Sequence, residues 1–346
     1  MPTSSALRRS LFVTLALAVG GVGAVLAGEL VVRASGERPW SEWPLEPGEQ
    51  GVFAPDSVLG WRARPGRIDF PVRGGTVRVT RLEDGSRATG SGPADPGSRM
   101  AVIGGSFAEG WGLPDEETLP WKLQAALPEV EVRNHAVGGY GTYQSLLRLE
   151  QLFAAADPPD RVVYGFTELH EERNVANPRW LRDLAQVARR GHVAVPYATL
   201  GPAGRLERHP PESHPLWPLR SRLALVNVVQ SAWLQHRGRG RLEQRHEVTR
   251  RLLFAMDQLC RTHGARLLVA VLWAPQTADF YVQSLRQRGI PVVDCNLAQR
   301  PRLIIEGDGH PNGQATSELA RCILEALGAS TSGEPGERAN GGAASP

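Results

Sequence analysis

The stretch RMAVIGGSFAEGWGLPDEET, Arg99–Thr118, decides how this chain is read. Met100 to Ile103 form an apolar run with the composition of a buried strand. The run stops at Gly104-Gly105-Ser106, where the backbone can turn sharply and present a hydroxyl. Helix-start chemistry follows in "DEETLPWKLQAAL", with Asp115 expected as N-cap and Glu116 and Glu117 in the first turn.

The same alternation continues toward the C-terminus. "VEVRNHAV", "RVVYGF", "RLLVAVLWA" and "IPVVDC" read as strands. "TYQSLLRLEQLFAAA", "RLEQRHEVTRRLLFAMDQLCRTHG", "ADFYVQSLRQRG" and "GQATSELARCILEAL" read as helices. Alternating strands and helices predict an α/β fold, a parallel sheet covered on both faces. Residues 175–240 interrupt the pattern and are expected to form an insertion beside the active face. Residues 34–98 are rich in Pro, Gly and charge, with short alternating runs such as "RIDFPV", and predict a linker and a small β-rich lead-in. The tail 329–346 lacks the apolar residues a core needs and is expected to be disordered.

The N-terminus carries a different signal. Ser10 to Gly28 holds no charge, and with Leu30 to Val32 the apolar stretch reaches the length of a bilayer core. Arg8 and Arg9 precede it, which predicts a cytoplasmic N-terminus (1–9), a transmembrane signal anchor (10–33) and an exported remainder. A cleaved signal peptide is the alternative, because Val25-Leu26-Ala27 resembles a cleavage site.

The 346 residues are 41% hydrophobic, enough for one large α/β core, and the net charge of +3 makes no electrostatic case for nucleic acid. The basic run His236–Arg251 reads as a solvated helix face. Cys260, Cys295 and Cys322 form no CxxC pair, which argues against a zinc site. Each is expected to be a buried free thiol. "HEERN" lacks the second histidine of HExxH, so no metalloprotease site is expected. "GGYG" comes with neither a P-loop lysine nor GxGxxG, which argues against nucleotide binding. No cofactor or metal is expected.

In open parallel sheets, ligands bind beyond the carboxyl ends of the strands. Ser106, Gly138-Gly139-Tyr140-Gly141, "TELHEERN" (167–174) and "EGDGHPNG" (306–313) all fall there. A hydroxyl becomes a useful nucleophile when a base takes its proton. His310 is the candidate base, and Asp308, two residues earlier, the carboxylate that orients it. The N–H groups of Gly139 and Ser106 are candidate donors to a developing oxyanion. Taken singly, Ser106 also fits an ordinary turn, and "DGHPNG" a helix-entry turn with a surface histidine.

Together, "VIGGSFAEGWG", "NHAVGGYGTYQ" and "DGHPNGQAT" resemble the sequence blocks of the SGNH/GDSL hydrolase superfamily over about residues 99–327. The resemblance implies a flavodoxin-like three-layer α/β/α sandwich with Ser106 as nucleophile. Where the family's first block is Gly-Asp-Ser, this chain has Gly104-Gly105-Ser106. The family's second-block glycine falls on Gly139. In the last block, usually Asp-x-x-His, Gly307 stands at the aspartate position, leaving Asp308, or second to it Glu306, as the carboxylate. The family's oxyanion asparagine falls on Thr167 or Leu169, so His170 or Asn174 is expected to supply that donor. His170 can equally be a structural histidine.

The expected function is a serine-dependent ester hydrolase or acyl-transfer enzyme of the cell envelope, acting on acylated carbohydrate or lipid. The alternative is a non-catalytic envelope scaffold or glycan-binding protein on the same fold.

Overall fold

The computed structural model describes residues 4–42, 52–72, 75–187, 193–298 and 300–328. The tail expected to be disordered lies outside them, as do residues 43–51 of the lead-in. Helix α1 (Ser4–Ala34) precedes two antiparallel hairpins, β1 (Phe53–Asp56) with β2 (Gly60–Ala63) and β3 (Gly66–Val72) with β4 (Gly75–Arg81). Then come β5 (Ser98–Gly104), the one-turn α2 (Ser106–Glu109), α3 (Leu119–Ala126), β6 (Val130–Asn134), α4 (Thr142–Phe153), β7 (Arg161–Thr167) and α5 (Leu169–Asn174). The expected insertion consists of α6 (Pro178–Val187), the hairpin β8 (Ala194–Leu200)–β9 (Leu206–Ser213) and α7 (Ala224–Glu243). The chain closes with α8 (Arg245–Thr262), β10 (Arg266–Trp273), α9 (Ala278–Gln287), β11 (Val292–Asp294) and α10 (Gly313–Ala326).

The central sheet has the order β11-β10-β7-β5-β6, with every pair parallel. Alternate residues of β5 explain the layers. Ala101 and Ile103 pack with α4, α8 and α9, whereas Met100 and Val102 pack with α3 and α10. All four are buried, as strands covered on both faces require. The fold is the expected α/β/α sandwich of flavodoxin-like strand order. β5 pairs with β6 on one side and β7 on the other, so the crevice where ligands bind opens at its carboxyl end.

Three local expectations are corrected. Asp115 does not cap a helix. It starts a 3₁₀ turn, and Thr118 caps α3 by accepting from Trp121 N–H. The Asp115 carboxylate instead accepts from Arg87 Nε at 2.8 Å and from Thr80 N–H at 2.9 Å, both in the lead-in. The long helix 241–264 is broken at Gln244, whose side chain caps the Leu200 N–H rather than continuing a smooth solvated face. Not all cysteines are free. Packing of α10 beside the end of β11 brings Cys295 and Cys322 together as a disulfide, with Cα atoms 6.0 Å apart, and leaves only Cys260 as a buried thiol. Closing that loop contributes about 3–4 kcal/mol in the chain-entropy account.

The lead-in is fastened to the sandwich. Arg87 bridges both Arg81 and Asn134, which joins the β3–β4 hairpin to the β6 edge. The β1–β2 hairpin meets β8 at Gly60, which has φ +84°, and a Cβ there would stand 1.9 Å from Ala194 O.

Helix α1 includes a 27-residue segment, Arg8–Ala34, whose most apolar 18 residues have a mean hydropathy of 2.2, long and apolar enough to cross a membrane; signal sequences share these properties.

Candidate active site

β5 ends in Gly104, whose φ of +147° lies in the region glycine favours; a Cβ there would stand 2.7 Å from Gly165 O on β7. The turn delivers Ser106 to the first position of α2, 6% exposed. The last block leads into α10, which packs on the same side of the sheet as α2. Asn312 caps α10 by accepting from Ala315 N–H, and Ile305 N–H donates to His310 O at 2.7 Å, closing the loop that carries the histidine. The outcome is a line of three groups. His310 Nε2 lies 2.9 Å from Ser106 Oγ, and His310 Nδ1 makes a short hydrogen bond with the Asp308 carboxylate. Asp308 also accepts from the His310 N–H. Glu306 is exposed on the same loop.

Burial raises the Asp308 pKa, but the hydrogen bond and charge of His310 outweigh it and hold the carboxyl below its usual range. Asp308 is therefore an acceptor for the imidazole down to lower pH than an ordinary aspartate. That support is present above its unfolded value and lost as pH falls through the lowered one.

The Gly138–Tyr140 turn packs against the loop that carries Ser106. A Cβ at Gly138 would stand 3.0 Å from Glu109 Oε2, and one at Gly139 would stand 3.0 Å from Trp61. Gly139 has φ +82°, so both its conformation and its surroundings call for glycine. Trp61 Nε1 donates to Gly138 O at 3.0 Å, and Tyr140 OH donates back to Trp61 O. The lead-in thus forms one wall of the site. Trp111 stands beside His310, with ring centroids 6.2 Å apart, and packs edge-on against Phe70 of β3. Trp61 and the Trp180 ring beside Gly139 were not legible in the sequence, because each reaches the site from a segment with no catalytic pattern of its own; Trp111 lies within the VIGGSFAEGWG block, whose pattern marks Ser106 and not the ring.

His170 and Asn174 do share a face of α5, but it is the buried one. Asn174 Nδ2 donates to Thr142 and Thr249, and its Oδ1 accepts from Tyr143 N–H. With its amide held in this network, the structure does not bring Asn174 to Ser106. His170 is fully buried. Its Nδ1 lies 2.6 Å from Tyr164 OH and 3.4 Å from Thr167 N–H, which makes Nδ1 the acceptor and leaves the proton on Nε2. Burial, then the charge of Arg173, holds the ring well below the usual histidine range, so it is neutral. Of the two positions at which the family asparagine would fall, Leu169 is 47% exposed. Thr167 is buried at the end of β7, its hydroxyl without a partner among the described residues.

These contacts account for the glycine at 105. Its φ of −94° suits any residue, so space decides. A Cβ there would stand 2.8 Å from His170 Nε2, 3.0 Å from Tyr140 O and 3.2 Å from Arg173 Nη1. His170 and Arg173 fill the volume that a side chain at 105 would need. Gly105→Ala is expected to destabilise the fold by about 1–3 kcal/mol, the usual cost of overpacking, and to lower turnover by displacing Ser106. Urea denaturation of the variant checks the first effect, and an unchanged midpoint would show that the pocket yields freely.

No protein-family model matches the chain, and no curated protein matches it. Solved structures do. One is a lipolytic protein of the G-D-S-L family from Veillonella parvula, at 11% identity and TM-score 0.38, matched over 66% of this chain and 96% of that one. Another is the esterase EstA from Pseudoalteromonas sp., at 12% identity and TM-score 0.40, over 67% and 97%. A third is Axe2, an acetylxylan esterase from Geobacillus stearothermophilus, at 13% identity and TM-score 0.38, over 67% and 95%. These three are solved structures the chain is similar to; its resemblance to the SGNH/GDSL hydrolases is carried by its sequence blocks.

Proposed function

We propose that this protein is a membrane-anchored serine ester hydrolase or acyl-transfer enzyme working through an acyl-enzyme. The observation that carries this reading is the alignment of Ser106 Oγ, His310 and Asp308 at the carboxyl end of the sheet, with Oγ and Nε2 2.9 Å apart.

Ser106 Oγ attacks the ester carbonyl carbon while His310 Nε2 takes the hydroxyl proton, and Asp308 stabilises the imidazolium. The carbonyl electrons move onto oxygen, where the N–H groups of Ser106 and Gly139 receive them. His310 returns the proton to the departing alkoxide, leaving acyl-Ser106. Water, or the hydroxyl of an acceptor, then attacks that ester, giving its proton to His310 and restoring Ser106. The tryptophans around the mouth suit a flat apolar or sugar surface beside the acyl group. Acylated carbohydrate or lipid of the envelope is the substrate class this location favours.

Anchorage is supported by the unbroken course of α1 through Val25-Leu26-Ala27 to Ala34. The arginines at its N-terminal end favour the exported side for the sandwich.

Asp308→Asn is expected to lower kcat for a short-chain p-nitrophenyl ester by about 10²–10⁴-fold, through loss of imidazole orientation and imidazolium stabilisation. Steady-state hydrolysis by the full chain checks this. Equal rates for the variant and the parent would remove Asp308 from the mechanism. Absence of any hydrolysis or transfer across acetyl, butyryl and acyl-sugar esters would favour the non-catalytic scaffold.

A further inference from the structure

α7 begins where α1 ends, although nearly 200 residues separate them. The Glu29 carboxylate, 7% exposed, accepts from Ala224 N–H at 3.0 Å and Leu225 N–H at 2.8 Å, the first N–H groups of α7. Arg33 donates to Arg222 O, and Asn227 to Arg38 O. Trp40 N–H donates to Arg220 O at 2.9 Å, and the Trp40 ring stacks on His214. The last two turns of the apolar helix are thus tied to α7 and to the segment leading into it.

Beside that joint lies an apolar surface that no other described residue covers. Leu219 is 55% exposed, Val229 47%, Trp233 40% and Leu216 38%. Val229 and Trp233 are one helical turn apart on the same face of α7. Trp217 packs against Trp233, ring centroids 5.5 Å apart, and Arg237 lies 4.7 Å over the Trp233 ring. Leu30 and Val31, on the turn of α1 that carries Glu29, are about 70% exposed. Between His214 and Glu243 the sequence has five arginines and one acidic residue, Glu243 itself; Arg241 pairs with Glu212 and Arg220 lies over the Trp40 ring, leaving Arg222, Arg237 and Arg239 exposed. Apolar side chains, two tryptophans and flanking arginines are the composition of a bilayer's polar–apolar boundary.

We infer that α7 and the loop before it form a shelf seated in the headgroup region of an anionic bilayer, fixing the height and tilt of the sandwich above the membrane. This rests on the reading of α1 as an anchor. A bilayer that takes up α1 as far as Val31 brings its surface to the residues held against Glu29. The apolar stripe then enters the acyl boundary while the exposed Arg222, Arg237 and Arg239 meet lipid phosphates. The seat also sets the position of the site. α7 packs on α6 where Gly238 meets Pro178, and α6 carries Trp180 to Gly139.

The test uses full-length protein in vesicles of phosphatidylcholine and phosphatidylglycerol. A nitroxide is placed by Leu17→Cys within α1, Val229→Cys on α7, or Ala125→Cys, exposed on α3 in the opposite helical layer. Power-saturation spectroscopy compares collisions with oxygen, enriched in lipid, and with a water-soluble nickel chelate. The expected oxygen-to-nickel ratio is several-fold higher at 17 and 229 than at 125. A lipid-like ratio at 17 with a water-like ratio at 229 would overturn the shelf and leave the anchor standing. A water-like ratio at 17 would overturn both.

Discussion

Ser106→Ala lowers kcat/KM for a short-chain aryl ester by roughly 10⁴–10⁶-fold, the range set by removing the nucleophile of a serine–histidine pair. The substitution deletes one oxygen and creates no crowding, so the fold should remain. Ser106 Oγ meets His310 Nε2 at 2.9 Å, and Ala108 and Glu109 hold α2 through backbone bonds to Gly105 O that do not involve the side chain. Unfolding should therefore be unaltered while the rate collapses. Equal activity in variant and parent, with enzyme concentration matched by absorbance, would mean that some other group does the chemistry.

The second large effect is on stability. Arg87 is 1% exposed and makes a full set of buried contacts: Nε to Asp115 at 2.8 Å, Nη1 to Gly110 O at 2.8 Å, and Nη2 to Leu113 O at 2.5 Å. Burial lowers its pKa, and the hydrogen bond and charge of Asp115 oppose the shift. Arg87→Met keeps the volume but leaves Asp115 and the carbonyls of residues 110 and 113 without this donor. Breaking a buried pair in this way costs about 3–5 kcal/mol. Activity should fall with it, because the 110–113 loop carries Trp111 to the side of His310. Urea unfolding followed by tryptophan fluorescence gives the stability change. A loss under about 1 kcal/mol would mean that Asp115 finds another partner or water.

These two residues also mark what was legible in the sequence. β5 and the turn after it could be read because their causes are local: an apolar run, two glycines and a hydroxyl within a few residues. The loop carrying Asp308 and His310 was legible for the same reason, a short motif ahead of an amphipathic helix. Strand order followed from alternation and the family resemblance. Arg87 gave no such sign, since its partners lie 22 to 28 residues away and form only when the lead-in folds onto the β6 edge. Trp61 reaches Gly138 across 77 positions. Cys295 and Cys322 looked like core thiols because only the docking of α10 brings them together. The four-residue spacing of His170 and Asn174 did put both on one helix face. Which way that face turned depended on Tyr164, Thr142 and Thr249, which spacing alone does not reveal.

The most direct test of the account is covalent. A fluorophosphonate reacts with a serine only when its proton has a base to go to, so the full-length protein is treated with such a probe, digested and mapped by mass spectrometry. One phosphonyl adduct is expected, on Ser106, absent after His310→Ala and slowed after Asp308→Asn. An unlabelled Ser106 in folded protein, or labelling that persists without His310, would contradict it.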